Sequence, residues 1–86
     1  MLNHLQFIIN MEKTLATALA NSFDIDITVK EGSLSEIRDN LQDIKSNLDL
    51  QIYHERDMTK RAQLILVRNK IVGLRQTTEH ALSKSK

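Results

Sequence analysis

Apolar residues along this chain change their spacing several times, and each change marks an element. Leu5, Ile8, Met11, Leu15 and Leu19 recur in steps of three and four, the spacing of one helix face, and Ala16, Ala18 and Ala20 add helix propensity. They predict a first helix over about 2–22, stopping near Asn21 and Ser22. From Phe23 the period drops to two. Phe23, Ile25, Ile27 and Val29 alternate with Asp24, Asp26, Thr28 and Lys30, which predicts an extended segment at about 23–30. The chain offers no second strand to pair with it. It is therefore expected to be a linker with its apolar side laid on the helices, or else a strand paired with the same segment of another copy, with a continuation of the helix as a third alternative.

Gly32 is the only glycine in the first 72 residues, the chain has no proline, and the tetrapeptide Ser33-Leu34-Ser35-Glu36 follows directly. It fits the S-x-x-E capping box, in which the serine hydroxyl accepts from the glutamate N–H and the glutamate carboxylate accepts from the serine N–H. A helix should therefore start here. Its seam is Leu34, Ile37, Leu41, Ile44 and Leu48, with Glu36, Asp39 and Asp43 on the wet side. A second seam runs Leu64, Val67, Ile71, Leu74, Thr78 and Ala81, widened by Ile65 and Val72.

The two seams are out of phase. If one helix ran through both, the second seam would lie on the first seam's outer face. The polar stretch 49–60 is thus either a break or a change of buried face, and it holds no Gly, Pro or Asn to force a turn, although Asp57 can cap a restarted helix. A single helix over 34–83 would be about 75 Å long and would need another chain to cover it. The expectation is an all-α fold in one domain, 1–86. It is either a small three-helix bundle with helices at about 2–22, 34–50 and 53–83, or a long helical hairpin, with 84–86 frayed.

Composition narrows the chemistry more than it names it. With three aromatic residues (Phe7, Phe23, Tyr53) and no tryptophan in 86 residues, the core must be aliphatic and modest, which favours self-association or a partner. The absence of cysteine removes disulfides, thiolate metal sites and cysteine nucleophiles. No apolar run approaches the ~20 residues of a membrane span. The N-terminal stretch has neither a basic region nor a small-residue cleavage site, so a cytoplasmic location is expected. Net charge is +1, but residues 1–57 carry five Lys/Arg against ten Asp/Glu, and residues 58–86 carry seven against one. Such a split suits an acidic partner for the basic part, or pairing between the two parts.

Candidate catalytic and metal chemistry is thin. His4, His54 and His80 lie too far apart in sequence for two of them to share a helix face around a metal. Asp24-x-Asp26-x-Thr28 begins like a calcium loop, but Val29 stands where the turn needs glycine and Ser35 where a bidentate glutamate is needed. Gly73 lies within an apolar helix and not in a phosphate loop. No enzyme activity, cofactor, metal or small-molecule substrate is expected. Ile37, Arg38 and Lys45 are similar to the opening helix of helical chorismate mutases, but the later basic positions of that family do not match.

The feature with functional content is the basic C-terminal segment. Arg61, Arg68 and Arg75 repeat every seven residues and flank the seam at e positions, where coiled-coil residues select a partner by charge. The same row could grip phosphates, without aromatics for base stacking or a helix-turn-helix spacing. An extended segment before two helices is similar to ribbon-helix-helix repressors, yet here its outward residues, Asp24, Asp26 and Thr28, would repel DNA. In size and outline the chain resembles the small helical chaperones of bacterial secretion systems, which shield another subunit's amphipathic helix. The expected function is a non-enzymatic protein–protein interaction module: a small adaptor, chaperone or regulator that presents helix seams to itself, as a homodimer, or to a partner. Its expected contact residues are Arg61, Leu64, Val67, Arg68, Ile71, Leu74 and Arg75. The alternative is a nucleic-acid-binding regulator using the basic helix.

Overall fold

A computed structural model describes residues 2–84 and shows three helices: α1, Leu2–Ser22; α2, Leu34–His54; and α3, Met58–Lys84. The all-α three-helix architecture matches expectation, and the long uninterrupted hairpin helix does not form. Helix α3 is the central element. At 1.5 Å per residue its 27 residues span about 40 Å, close to the 43 Å long axis of the molecule.

Both other helices pack on α3 and run antiparallel to it. Glu12 of α1 meets Thr77, and Leu15, further along α1, lies beside Asn69 and Lys70. On the other side Gln42 of α2 meets Arg75, and Asp49 meets Arg68. The first two helices are therefore parallel to each other. Among the described residues no Cα of one lies within 8 Å of a Cα of the other.

The segment 25–31 fills the space between them. Ile25 and Val29 are buried and Ile27 is partly buried, whereas Asp24, Asp26, Thr28 and Lys30 are exposed. It runs back along α2, with Ile27 near Ile44 and Leu48, and the Lys30 N–H donates to Asn40 Oδ1 at 2.8 Å. On its α1 side Glu31 pairs with Lys13. The linker reading thus describes this segment, and no strand occurs among the described residues.

Local chemistry fixes its two ends. After α1, Asp24 adopts φ 57, and the chain closes with Asp24 N–H to Asn21 C=O and Ile25 N–H to Ala20 C=O. That is a Schellman ending, with aspartate in the left-handed position usually held by glycine. At the other end Gly32 has φ 142, and both halves of the Ser33–Glu36 capping box are formed.

Two expected boundaries move. Helix α2 continues to His54 rather than about 50, because Ile52 still packs on the core. Helix α3 then starts at Met58 rather than 53. Glu55 turns extended (φ −79, ψ 124), and Asp57 caps the new helix by accepting from Lys60 N–H at 3.1 Å. At the other end Lys84 is helical, while the remainder of the expected frayed tail, 85–86, lies outside the described residues.

The expected face of α1 also moves. Its buried residues are Ile9, Ala16 and Ala20, with Leu5 and Leu19 partly buried, whereas Met11 and Leu15 face outward. Two alanines one turn apart let α1 lie close against its neighbours, and the larger side chains are displaced to the outside.

Candidate interaction surface

The residues expected to bind a partner divide into two groups. Leu64, Val67, Ile71 and Leu74 are at most 2% exposed, and with Thr78 and Ala81 they form the seam against which α1 and α2 pack. In this fold they are occupied by the chain's own core. Arg68 and Arg75 are half-buried and lean over the seam as e residues should, toward α2 of the same chain. Arg68 Nη1 lies 3.4 Å from Asp49 Oδ1, and Arg75 donates to Gln42 Oε1. Asp49 also takes Lys45 Nζ at 2.8 Å, and Arg75 Nε sits 3.5 Å from Glu79 without hydrogen-bond geometry. Arg61, the third of the row, is exposed beside the α2–α3 turn.

With two of its three arginines engaged internally, the row offers little to a phosphate backbone. Of the remaining basic groups among the described residues, Lys30, Lys70 and Lys84 lie elsewhere, and Arg56, Lys60 and Arg61 cluster at that turn. Around them Leu50, Tyr53 and Met58 are exposed, with Tyr53 edge-on to His54. Among the described residues there is no group of three His, Cys, Asp or Glu placed to hold a metal, and no helix long and apolar enough to cross a membrane.

A second exposed apolar surface covers the outer side of α1. Phe7, Met11 and Leu15, spaced by four, are 62%, 46% and 53% exposed, and Ala18 continues the row. Leu66 of α3, half exposed, lies one turn before Lys70 on the rim shared with Leu15. Between the two helices runs an open groove lined by Glu12, Leu15, Asn69, Lys70 and Gly73, and the missing Cβ of Gly73 leaves its wall bare.

What distinguishes this face is its charge. The exposed described residues of α1 are His4, Gln6, Phe7, Asn10, Met11, Thr14, Leu15, Ala18, Asn21 and Ser22, with no carboxylate, ammonium or guanidinium among them. The two charged groups of α1 are both engaged by other parts of the chain: Glu12 accepts from the Thr77 hydroxyl at 2.9 Å, and Lys13 pairs with Glu31 at 3.4 Å. By contrast, the outer side of α2 carries Glu36, Asp39 and Asp43, and that of α3 carries Lys60, Arg61 and Lys70. Sequence periodicity alone missed this surface because Met11 and Leu15 fit a seam. The signal that could have found it is that apolar residues surround most of α1, more than a helix packed on one side can bury.

These features define a three-helix, α3-centred protein with one uncharged apolar helix face. No known protein family, curated protein or solved structure matches the chain.

Proposed function

We propose that this chain is a non-enzymatic protein–protein interaction module, a small helical adaptor, chaperone or regulator, and that it docks through the outer face of α1. The observation that carries this reading is the uncharged row Phe7, Met11, Leu15 and Ala18. Apolar patches of a few hundred Å² are commonly functional, and an uncharged row at helical spacing suits an amphipathic helix laid across it. The expected contact set is accordingly Phe7, Met11 and Leu15, with Leu66 at the rim.

Leu15→Glu places a carboxylate in this face without touching the core. Affinity isolation with wild-type protein and with this variant should retain a protein that the variant loses, while the helical circular dichroism of the two is the same. Equal retention by both overturns the reading. So does binding of nucleic acid that weakens steeply with salt in the absence of any protein complex.

A further inference from the structure

We propose that the occupant of the α1 face is a second copy of this chain, docked antiparallel about a two-fold axis that passes beside Met11. This rests on the reading that the α1 face is a docking surface and goes on to name what docks there. A surface meets its own copy well only if it is complementary to itself, because in a two-fold contact residue i touches j while j touches i. Most faces fail this requirement, since any charge near the axis meets its own kind.

The α1 face passes on three counts. First, the exposed α1 residues of the face carry no formal charge, and the charged groups nearest to it, Glu12 and Lys70, line the groove at one edge. Second, its three large side chains are evenly spaced about its centre, with an apolar residue at each end. Phe7 and Leu15 stand four residues on either side of Met11, so an antiparallel copy sets Phe7 against Leu15, Met11 against Met11 and Leu15 against Phe7. Rows spaced by four are the ridges that interlock when two helices cross at about −50°. Third, the edges match. In such a pair the same edge of each α1 lies on the same side, so Asn10 and Thr14 of one copy face Asn10 and Thr14 of the other. Amide and hydroxyl groups both donate and accept, so this edge can bond to itself. On the opposite edge Lys70, which pairs with no carboxylate among the described residues, stands beside Leu15. It would come next to the ring of Phe7 of the second copy, where a cation is favoured.

The size of the patch sets the strength. The row supplies four residues, Phe7, Met11, Leu15 and Ala18, against the ~20–30 a side of a standard stable complex. The dimer should therefore be weak and reversible, dissociating on dilution.

Position 11 supplies a test specific to this geometry, because a residue on the axis meets only itself. Met11→Lys and Met11→Glu each place like charges together across the axis. In sedimentation over a concentration series, wild-type protein should rise from its 9.9 kDa monomer mass toward twice that value. Each variant should remain at the monomer mass, and an equimolar mixture of the two should regain the dimer. The chain contains no cysteine, so Met11→Cys adds a single reporter. It should cross-link to its own copy on mild oxidation, whereas Ser46→Cys on the exposed side of α2 should not.

A wild-type protein that stays monomeric at high concentration overturns the two-fold dimer. So does a Met11→Lys protein that still dimerises, or a mixture that fails to recover. A monomer that nevertheless retains another protein in a Leu15-dependent way overturns the dimer alone and leaves the docking function standing. A monomer that retains none overturns both.

Discussion

The Ile25 amide donates to the Ala20 carbonyl at 2.8 Å, and this bond closes the end of α1. With its companion from Asp24 to Asn21 it requires Asp24 to hold φ 57. The left-handed conformation costs most L-residues about 1–2 kcal/mol, aspartate less, and glycine nothing comparable. Asp24→Gly is therefore expected to stabilise the fold by up to about 1 kcal/mol, and Asp24→Val to destabilise it. Urea denaturation midpoints check both, and a Gly variant less stable than wild type would contradict the reading of this turn.

The other end of the extended segment responds to pH. The Ser33 hydroxyl donates to Glu36 Oε1 at 2.9 Å and the Ser33 N–H reaches the same oxygen at 3.3 Å, which together hold the Glu36 carboxyl below its ordinary value. A carboxyl lowered on folding stabilises the protein above its unfolded value, near 4.5, and this contribution is lost as the pH falls through the lower folded value. The advantage of wild type over Glu36→Gln should be full at neutral pH and shrink in acid. Ser33→Ala should cost about 1 kcal/mol at neutral pH. Gly32→Ala should also destabilise, because a Cβ there sits 3.3 Å from Glu36 Oε1 on a backbone at φ 142. Denaturation series at neutral and acid pH measure all three.

Gly73 should behave in the opposite way. It lies within α3, and a Cβ built there meets nothing within 4 Å. Gly73→Ala is expected to raise stability by about 1 kcal/mol through helix propensity alone. A lower melting temperature would mean that the bare groove wall matters to packing in a manner the contacts do not reveal.

Among the described residues Thr78 is the one fully buried polar residue, on the α3 seam between Leu74 and Ala81. Its hydroxyl donates to the Leu74 carbonyl at 2.8 Å, an oxygen that also accepts from the helix ladder. Thr78→Val removes the hydroxyl, leaves no buried partner unsatisfied and preserves the shape, so stability should hold or rise within about 1 kcal/mol. Thr78→Ala opens a void on the seam and should cost about 1 kcal/mol or more. The order Val at or above Thr, with Ala lowest, is what thermal unfolding should show.

Sequence patterning resolved what depends on neighbours along the chain. The Ser33–Glu36 box formed, the alternation from Ile25 to Val29 became a one-sided extended segment, and the phase shift between Leu48 and Leu64 became a turn. What it could not resolve depends on contacts across the fold. No residue in 49–60 dictates a stop, and α2 runs on to His54 because Ile52 finds core to pack on. The row of Arg61, Arg68 and Arg75 has the geometry of a partner-selecting flank, but spacing cannot say whether Asp49 of the same chain or an outside residue stands opposite. On α1 the large side chains fit a helical seam as well as the alanines do. Close approach at Ala16 and Ala20 decided the matter, and with it the placement of the candidate surface.

The segment between α1 and α2 also works as a ruler. Two parallel helices cannot be joined by a tight hairpin, so the chain must travel back along nearly a helix length, and each extended residue covers about 3.3 Å. Removing one residue from 25–31 would draw α2 along α1 by roughly that distance and turn Ile25 or Val29 outward, since side chains alternate. Removing two would restore the alternation and leave only the slide. Natural variants of this fold should therefore tolerate length changes here in pairs, and the axial offset of its two outer helices is written in the number of residues between Asp24 and Gly32.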